Sequence, residues 1–88
     1  MLIFTLKKEW YEKIKSGEKT VEYREAKDYW TKRIFSGKPR GTCYFQLGYN
    51  PETRLKATVF KIEEVNGRDT DLKIDKDVYA IHFKLCKE

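Results

Sequence analysis

A chain of 88 residues holds one hydrophobic core and leaves no room for a linker between two domains. Its two Trp, six Tyr and five Phe supply enough large side chains to build that core without staples, which argues against disorder. The net charge of +5 is modest, and Cys43 and Cys86 stand far apart in no metal-ligand spacing. Neither a disulfide framework nor a metal site is expected, and both cysteines read as reduced and buried. The opening Met1-Leu2-Ile3-Phe4 run is too short for a signal-peptide core and no stretch could span a bilayer, so the expectation is a cytoplasmic protein without a membrane partner.

Residues 2–6 form a short apolar run and are predicted to be the first strand. Leu6, Trp10 and Ile14 then recur every four residues with Glu9 and Lys13 beside them, the pattern of a helix that buries one stripe, and Gly17 ends it. Residues 19–24 alternate, with Val21 and Tyr23 on one side and Thr20, Glu22 and Arg24 on a polar side. Asp28 caps a short second helix carrying Tyr29, Trp30, Arg33 and Ile34 on one side, followed by a basic loop from Lys38 to Gly41.

Residues 42–47 alternate again, and Gly48-Tyr49-Asn50-Pro51 turns the chain into a hairpin. Leu55, Ala57 and Val59 keep a period of two that Phe60 and Ile62 break, as a bulge would. Asn66-Gly67 makes the next turn, and residues 78–85 form the last strand, with Tyr79, Ile81, Phe83 and Leu85 on one face. The expected fold is α+β: a small mixed β-barrel with one N-terminal helix and a short second helix, all within a single domain of residues 1–88. Trp10, Phe45, Phe60 and Phe83 hold the better core positions, which leaves Trp30 and Tyr49 for a ligand cleft.

Charge is unevenly distributed. No Asp or Glu occurs between positions 29 and 51, where Lys32, Arg33, Lys38 and Arg40 stand among aromatic residues, whereas Glu63, Glu64, Asp69, Asp71, Asp75 and Asp77 crowd the later segment. One basic and one acidic region are expected, unless the fold interleaves them.

The stretch from Ile14 through Gly17-Glu18-Lys19-Thr20-Val21-Glu22-Tyr23-Arg24 resembles the signature of the ASCH family, in which a helix ends in Gly-x-Lys-Thr and enters a strand carrying Glu-x-Arg. Gly48-Tyr49 and Tyr79-Ala80-Ile81-His82-Phe83 look like the family's later turn and closing strand, so the resemblance extends over nearly the whole chain. It implies a PUA-like β-barrel with a cleft beside the Lys19–Arg24 segment, in a family proposed to bind RNA. The residues themselves fit such a cleft: Lys19 and Arg24 hold a phosphate or carboxylate, Glu22 orients the Arg24 guanidinium with Thr20 beside it, and Trp30 and Tyr49 stack a base. Lys32, Arg33, Lys38 and Arg40 either contact a nucleic-acid backbone or form a solvated basic helix and loop that bind nothing in particular. The competing reading of Glu22 and Arg24 is an exposed ion pair worth less than about 1 kcal/mol. On the binding reading, Arg24→Ala and Trp30→Ala weaken RNA binding and leave melting nearly unchanged.

The first expectation is therefore an RNA- or nucleotide-binding module that needs no cofactor. Some ASCH members are amidohydrolases acting on acetylcytidine, and Lys19 matches their lysine. Glu22 stands where they carry a nucleophilic threonine, and their catalytic glutamate has no clear counterpart here. A small enzyme acting on modified nucleosides or RNA, amidohydrolase-like or a ribonuclease, is the alternative, with Lys19 and Glu22 as its catalytic residues. A protein-interaction domain is the third possibility. His82, alone on the less apolar side of the last strand, reads as structural.

Overall fold

The computed structural model describes residues 1–36 and 41–86. In chain order the elements are β1 (Ile3–Leu6), α1 (Lys8–Lys15), β2 (Val21–Glu25), α2 (Asp28–Ser36), β3 (Thr42–Leu47), β4 (Leu55–Asn66) and β5 (Asp77–Leu85), with 3₁₀ turns at Pro51–Thr53 and Gly67–Asp69. The five strands make one mixed sheet in the order β1-β3-β4-β5-β2; β1 runs parallel to β3 and every other neighbouring pair is antiparallel.

No ladder joins β1 to β2, so the expected closed barrel is an open sheet. Its two edge strands nevertheless approach each other, because Nη2 of Arg24 in β2 donates to the carbonyl of Thr5 in β1 at 3.1 Å. A side chain bridges the seam where a backbone ladder would close it. The sheet is curled enough to bring its edges within one arginine of each other, and the space left between them becomes the cleft.

α1 buries Tyr11 and Ile14, the inner side of its amphipathic stripe. It stops at Gly17, whose φ of 87° is left-handed, and the reversed chain lets the Lys19 amide donate to the Lys13 carbonyl at 2.9 Å. That hydrogen bond fixes where Lys19 stands before β2 begins. α2 docks less deeply: Trp30 and Ile34 pack on the core, and the Thr31 hydroxyl shares a 2.7 Å hydrogen bond with the Tyr79 hydroxyl of β5.

The interior is an aromatic column with aliphatic walls. Phe83 meets Phe45 at 4.5 Å between ring centres, Phe45 meets Phe4 at 5.7 Å, and Phe4 meets Trp30 at 5.3 Å. Ile14, Cys43, Ala57 and Ile81 close around the column without solvent contact.

Two expectations about burial are corrected. The broken period in β4 is a bulge: Val59 pairs with Phe83 and Lys61 with His82, so Phe60 is the extra residue without a partner. It therefore points outward, 68% exposed, instead of joining the core. Cys43 is buried, but Cys86 follows the last paired residue of β5 and is exposed, with its sulfur 3.6 Å from the Thr58 hydroxyl.

Two ion pairs tie β2 and its approach to the segment between β4 and β5: Asp71 reaches Lys19, and Lys76 lies 3.5 Å from Glu25. No helix among the described residues is long and apolar enough to cross a membrane.

Candidate ligand-binding site

The polar side of β2 faces inward. Alternation puts Glu22 and Arg24 on the same side, and the curl of the sheet turns that side toward β1, so Glu22 is only 6% exposed. A carboxylate taken from water at this depth needs partners, and Glu22 has three. Arg24 donates to Oε2 through Nε at 3.2 Å and Nη2 at 2.8 Å, the Tyr23 amide approaches Oε1 at 3.3 Å, and Lys19 Nζ lies 3.6 Å from Oε1.

Arg24 is held from both sides as well. Its guanidinium carbon lies 5.0 Å from the Phe4 ring centre and 4.9 Å from that of Trp30, so it caps the aromatic column. Nε and Nη2 are committed to Glu22 and Thr5, and Nη1 has no hydrogen-bond partner among the described residues.

The Lys19 side chain is only 9% exposed, although it stands in the connection just before β2. Its ammonium sits between the carboxylates of Glu22 and Asp71 and near two rings, 5.3 Å from Trp10 and 5.2 Å from Tyr23. Asp71 arrives from the segment between β4 and β5. That segment is anchored by buried Thr70, whose hydroxyl donates to the Gly67 carbonyl at 2.8 Å.

These groups surround one cleft of about 400 Å³ between the β1 and β2 edges. Trp10, Tyr23 and Trp30 supply its flat walls, while Leu6, Leu72 and Ile74 add apolar surface. Its charged residues balance: Lys7, Lys19 and Arg24 against Glu22, Glu25 and Asp71. The size falls within the range of small-molecule sites. Chemically, the cleft offers flat apolar faces with charge-paired donors and acceptors at their edges, which suits a planar polar group better than a bare anion.

Of the residues singled out from sequence, Lys19, Glu22, Arg24 and Trp30 line this cleft together. Thr20 is exposed and borders an adjoining hollow of about 300 Å³ that shares Trp10, Lys19, Tyr23 and Asp71 with the cleft. Tyr49 stands outside, 94% exposed on the turn after β3, at a third hollow of about 480 Å³. Lys32 and Arg33 are exposed on α2, with the Arg33 guanidinium 4.4 Å from the Tyr29 ring. Lys38 and Arg40 lie outside the described residues.

Sequence reasoning missed Trp10, Tyr23 and Asp71. The apolar stripe of α1 points Trp10 at the core; the side chain is partly buried against that core and lines the cleft as well. Asp71 carries no local signal, since it is one of six carboxylates in a polar stretch and meets Lys19 across 52 positions.

Behind the cleft, burial pushes the Cys43 thiol up to about 12, with the Glu22 charge adding to the effect, so the thiol is inert. His82 lies on the other side of the sheet, 3.2 Å from Glu63. Among the described residues, no three His, Cys, Asp or Glu side chains group as metal ligands would. Comparison with protein-family models, with curated proteins and with solved structures finds no match for this chain.

Proposed function

We propose that this chain is an RNA- or nucleotide-binding module of the ASCH, PUA-like kind, and that it takes a base into the cleft between β1 and β2. The observation that carries the reading is the convergence of Lys19, Glu22 and Arg24 with Trp10, Tyr23 and Trp30 on one hollow of nucleoside size. The Gly17-x-Lys19-Thr20 turn and the Glu22-x-Arg24 strand supply the charged half of that set, which is where the family resemblance lies. On this reading the barrel is a curled sheet whose unpaired seam serves as the binding slot.

A base suits the slot because each base has two π-faces and a rim of donors and acceptors. Stacking on an aromatic side chain contributes roughly 1–3 kcal/mol per base in single-strand binders. The rim meets the free Nη1 of Arg24 and the polar atoms of Lys19 and Glu22. Trp10 and Trp30 are the two tryptophans of the sequence, and both line the cleft, so the protein carries its own reporter. Titration with a short single-stranded RNA is expected to give a saturable change in tryptophan emission. Flat emission up to millimolar RNA would sink the reading.

One observation favours a second reading. A lysine enclosed by two carboxylates, one of them from a distant segment, is the kind of arrangement that acid–base chemistry uses. In a small hydrolase acting on modified nucleosides, Lys19 would stabilise a developing oxyanion and Glu22 would handle the proton of the attacking water. Two hydrogen bonds from Arg24 already occupy Oε2 of Glu22, which is why binding is placed first. Incubation with acetylcytidine and with RNA separates the two readings: product from the wild type and none from Lys19→Ala would establish the enzyme.

A further inference from the structure

The cleft does not end at its own walls. The hollow beside Tyr49 shares Thr5, Leu6 and Lys7 with it, so the two spaces are contiguous around the junction of β1 and α1. Their electrostatics differ. Positive and negative residues balance in the cleft, whereas the charged residues lining the second hollow are Lys7 and Lys8 alone, and neither has an ion-pair partner among the described residues. Tyr49 presents an almost bare ring at this hollow.

The ring is not on a loose loop. The Asn50 side chain accepts from the Glu52 amide at 3.0 Å, and the Thr53 hydroxyl accepts from the Leu47 amide at 2.9 Å and donates to the Asn50 carbonyl at 2.6 Å. Tyr11 of α1 ties the same turn down by donating to the Thr53 carbonyl at 2.6 Å. An exposed aromatic side chain on a braced turn, beside two free cations, has little structural work of its own.

We infer that the second hollow is a subsite for the next nucleotide of a single strand. One base sits in the cleft, the linking phosphate lies against Lys7 and Lys8, and the following base stacks on Tyr49. The inference rests on the base-binding reading of the cleft and deepens it: the natural ligand is a segment of single-stranded RNA at least two nucleotides long, not a free nucleoside or mononucleotide. The division of labour follows from the charges, since a phosphate gains little beside Lys19 and Arg24, which are already paired, and more beside Lys7 and Lys8, which have no ion-pair partner among the described residues.

The test compares uridine with a uridine tetranucleotide, using tryptophan emission as the readout. The tetranucleotide is expected to bind at least tenfold more tightly than uridine. Tyr49→Ala should lower the ratio of tetranucleotide to uridine affinity by roughly 5- to 150-fold, the range that corresponds to one stacked base. Lys7→Ala combined with Lys8→Ala should reduce the slope of log affinity against log salt by about 1.4, the value for two contacts with a single strand. All three side chains are exposed, so the variants should fold. A tetranucleotide that binds no better than uridine, with ratio and slope unmoved in the variants, overturns the subsite and leaves the base-binding cleft standing. Failure of both ligands to bind overturns the two together.

Discussion

The cleft and the outer face of the β4 bulge are built from the same materials. Each has a lysine, a glutamate and aromatic rings within a few ångströms: Lys19, Glu22, Trp10 and Tyr23 in one, Lys61, Glu63, Phe60 and His82 in the other. They differ in solvent. Glu22 is enclosed at the seam between two sheet edges, whereas Glu63 is partly open to water and pairs with Lys61 at 2.8 Å on the convexity made by the bulge. Ion pairs between the same residue types therefore have different consequences. The first fixes a cavity whose charges cannot be removed singly, and the second is a surface arrangement screened by salt. Residue type alone does not identify a site; enclosure does.

Breaking the cleft is expected to give the largest effect. Arg24→Ala leaves the Glu22 carboxylate buried without its main partner, a loss of about 3–5 kcal/mol, set against roughly 4–13 kcal/mol for a domain of this size. Urea unfolding measures it. Adding Glu22→Gln to the same chain should restore part of the loss by removing the orphan charge. This revises the view from sequence, in which Arg24 is a surface residue whose loss touches binding alone.

A smaller effect is expected at the support of the Asp71 segment. A Cβ on Gly67 would stand 2.8 Å from both the Ile74 carbonyl oxygen and a Val78 methyl, so Gly67→Ala must move backbone and should cost about 1–3 kcal/mol. The Lys19–Asp71 contact should loosen with it, which the amide-exchange rate of residues 70–74 would report.

On the bulge face the same kinds of change should do little. Phe60→Ser is expected to shift the unfolding free energy by no more than about 0.5 kcal/mol. A loss of several kcal/mol would show that the bulge does not turn this ring outward. The smallest effect concerns Glu63, whose carboxyl is held below the usual glutamate range first by its hydrogen bond from Lys61 and then by that from His82. A depressed carboxyl stabilises the fold above its unfolded value, and that contribution disappears as pH falls through the folded one. Lys61→Ala should return the Glu63 midpoint, followed by NMR, toward the ordinary value.

Much of the chain's course is legible in its residues because local rules decide it. Gly17 stops α1, the alternation of residues 42–47 gives β3, Asn66-Gly67 turns the chain, and the phase change after Val59 marks the bulge. What sequence leaves open depends on how far the sheet curls. Phe60 looks like a core residue until the ladder shows that the bulge excludes it, and the polar side of β2 looks solvated until β1 closes over it. The charged half of the site, Lys19, Glu22 and Arg24, falls on six consecutive positions and could be found by eye. Asp71 and the rim position of Trp10 are tertiary facts, fixed by the packing of distant segments.

The central claim is most directly tested by mapping amide and indole NMR shifts while a short single-stranded RNA is added. The account predicts that the indole signals of Trp10 and Trp30 and the amides of residues 19–25 move together and saturate, while those of residues 58–64 and His82 stay in place. Shifts confined to the bulge face or to the exposed side of α2, with the two indoles unmoved, would contradict it.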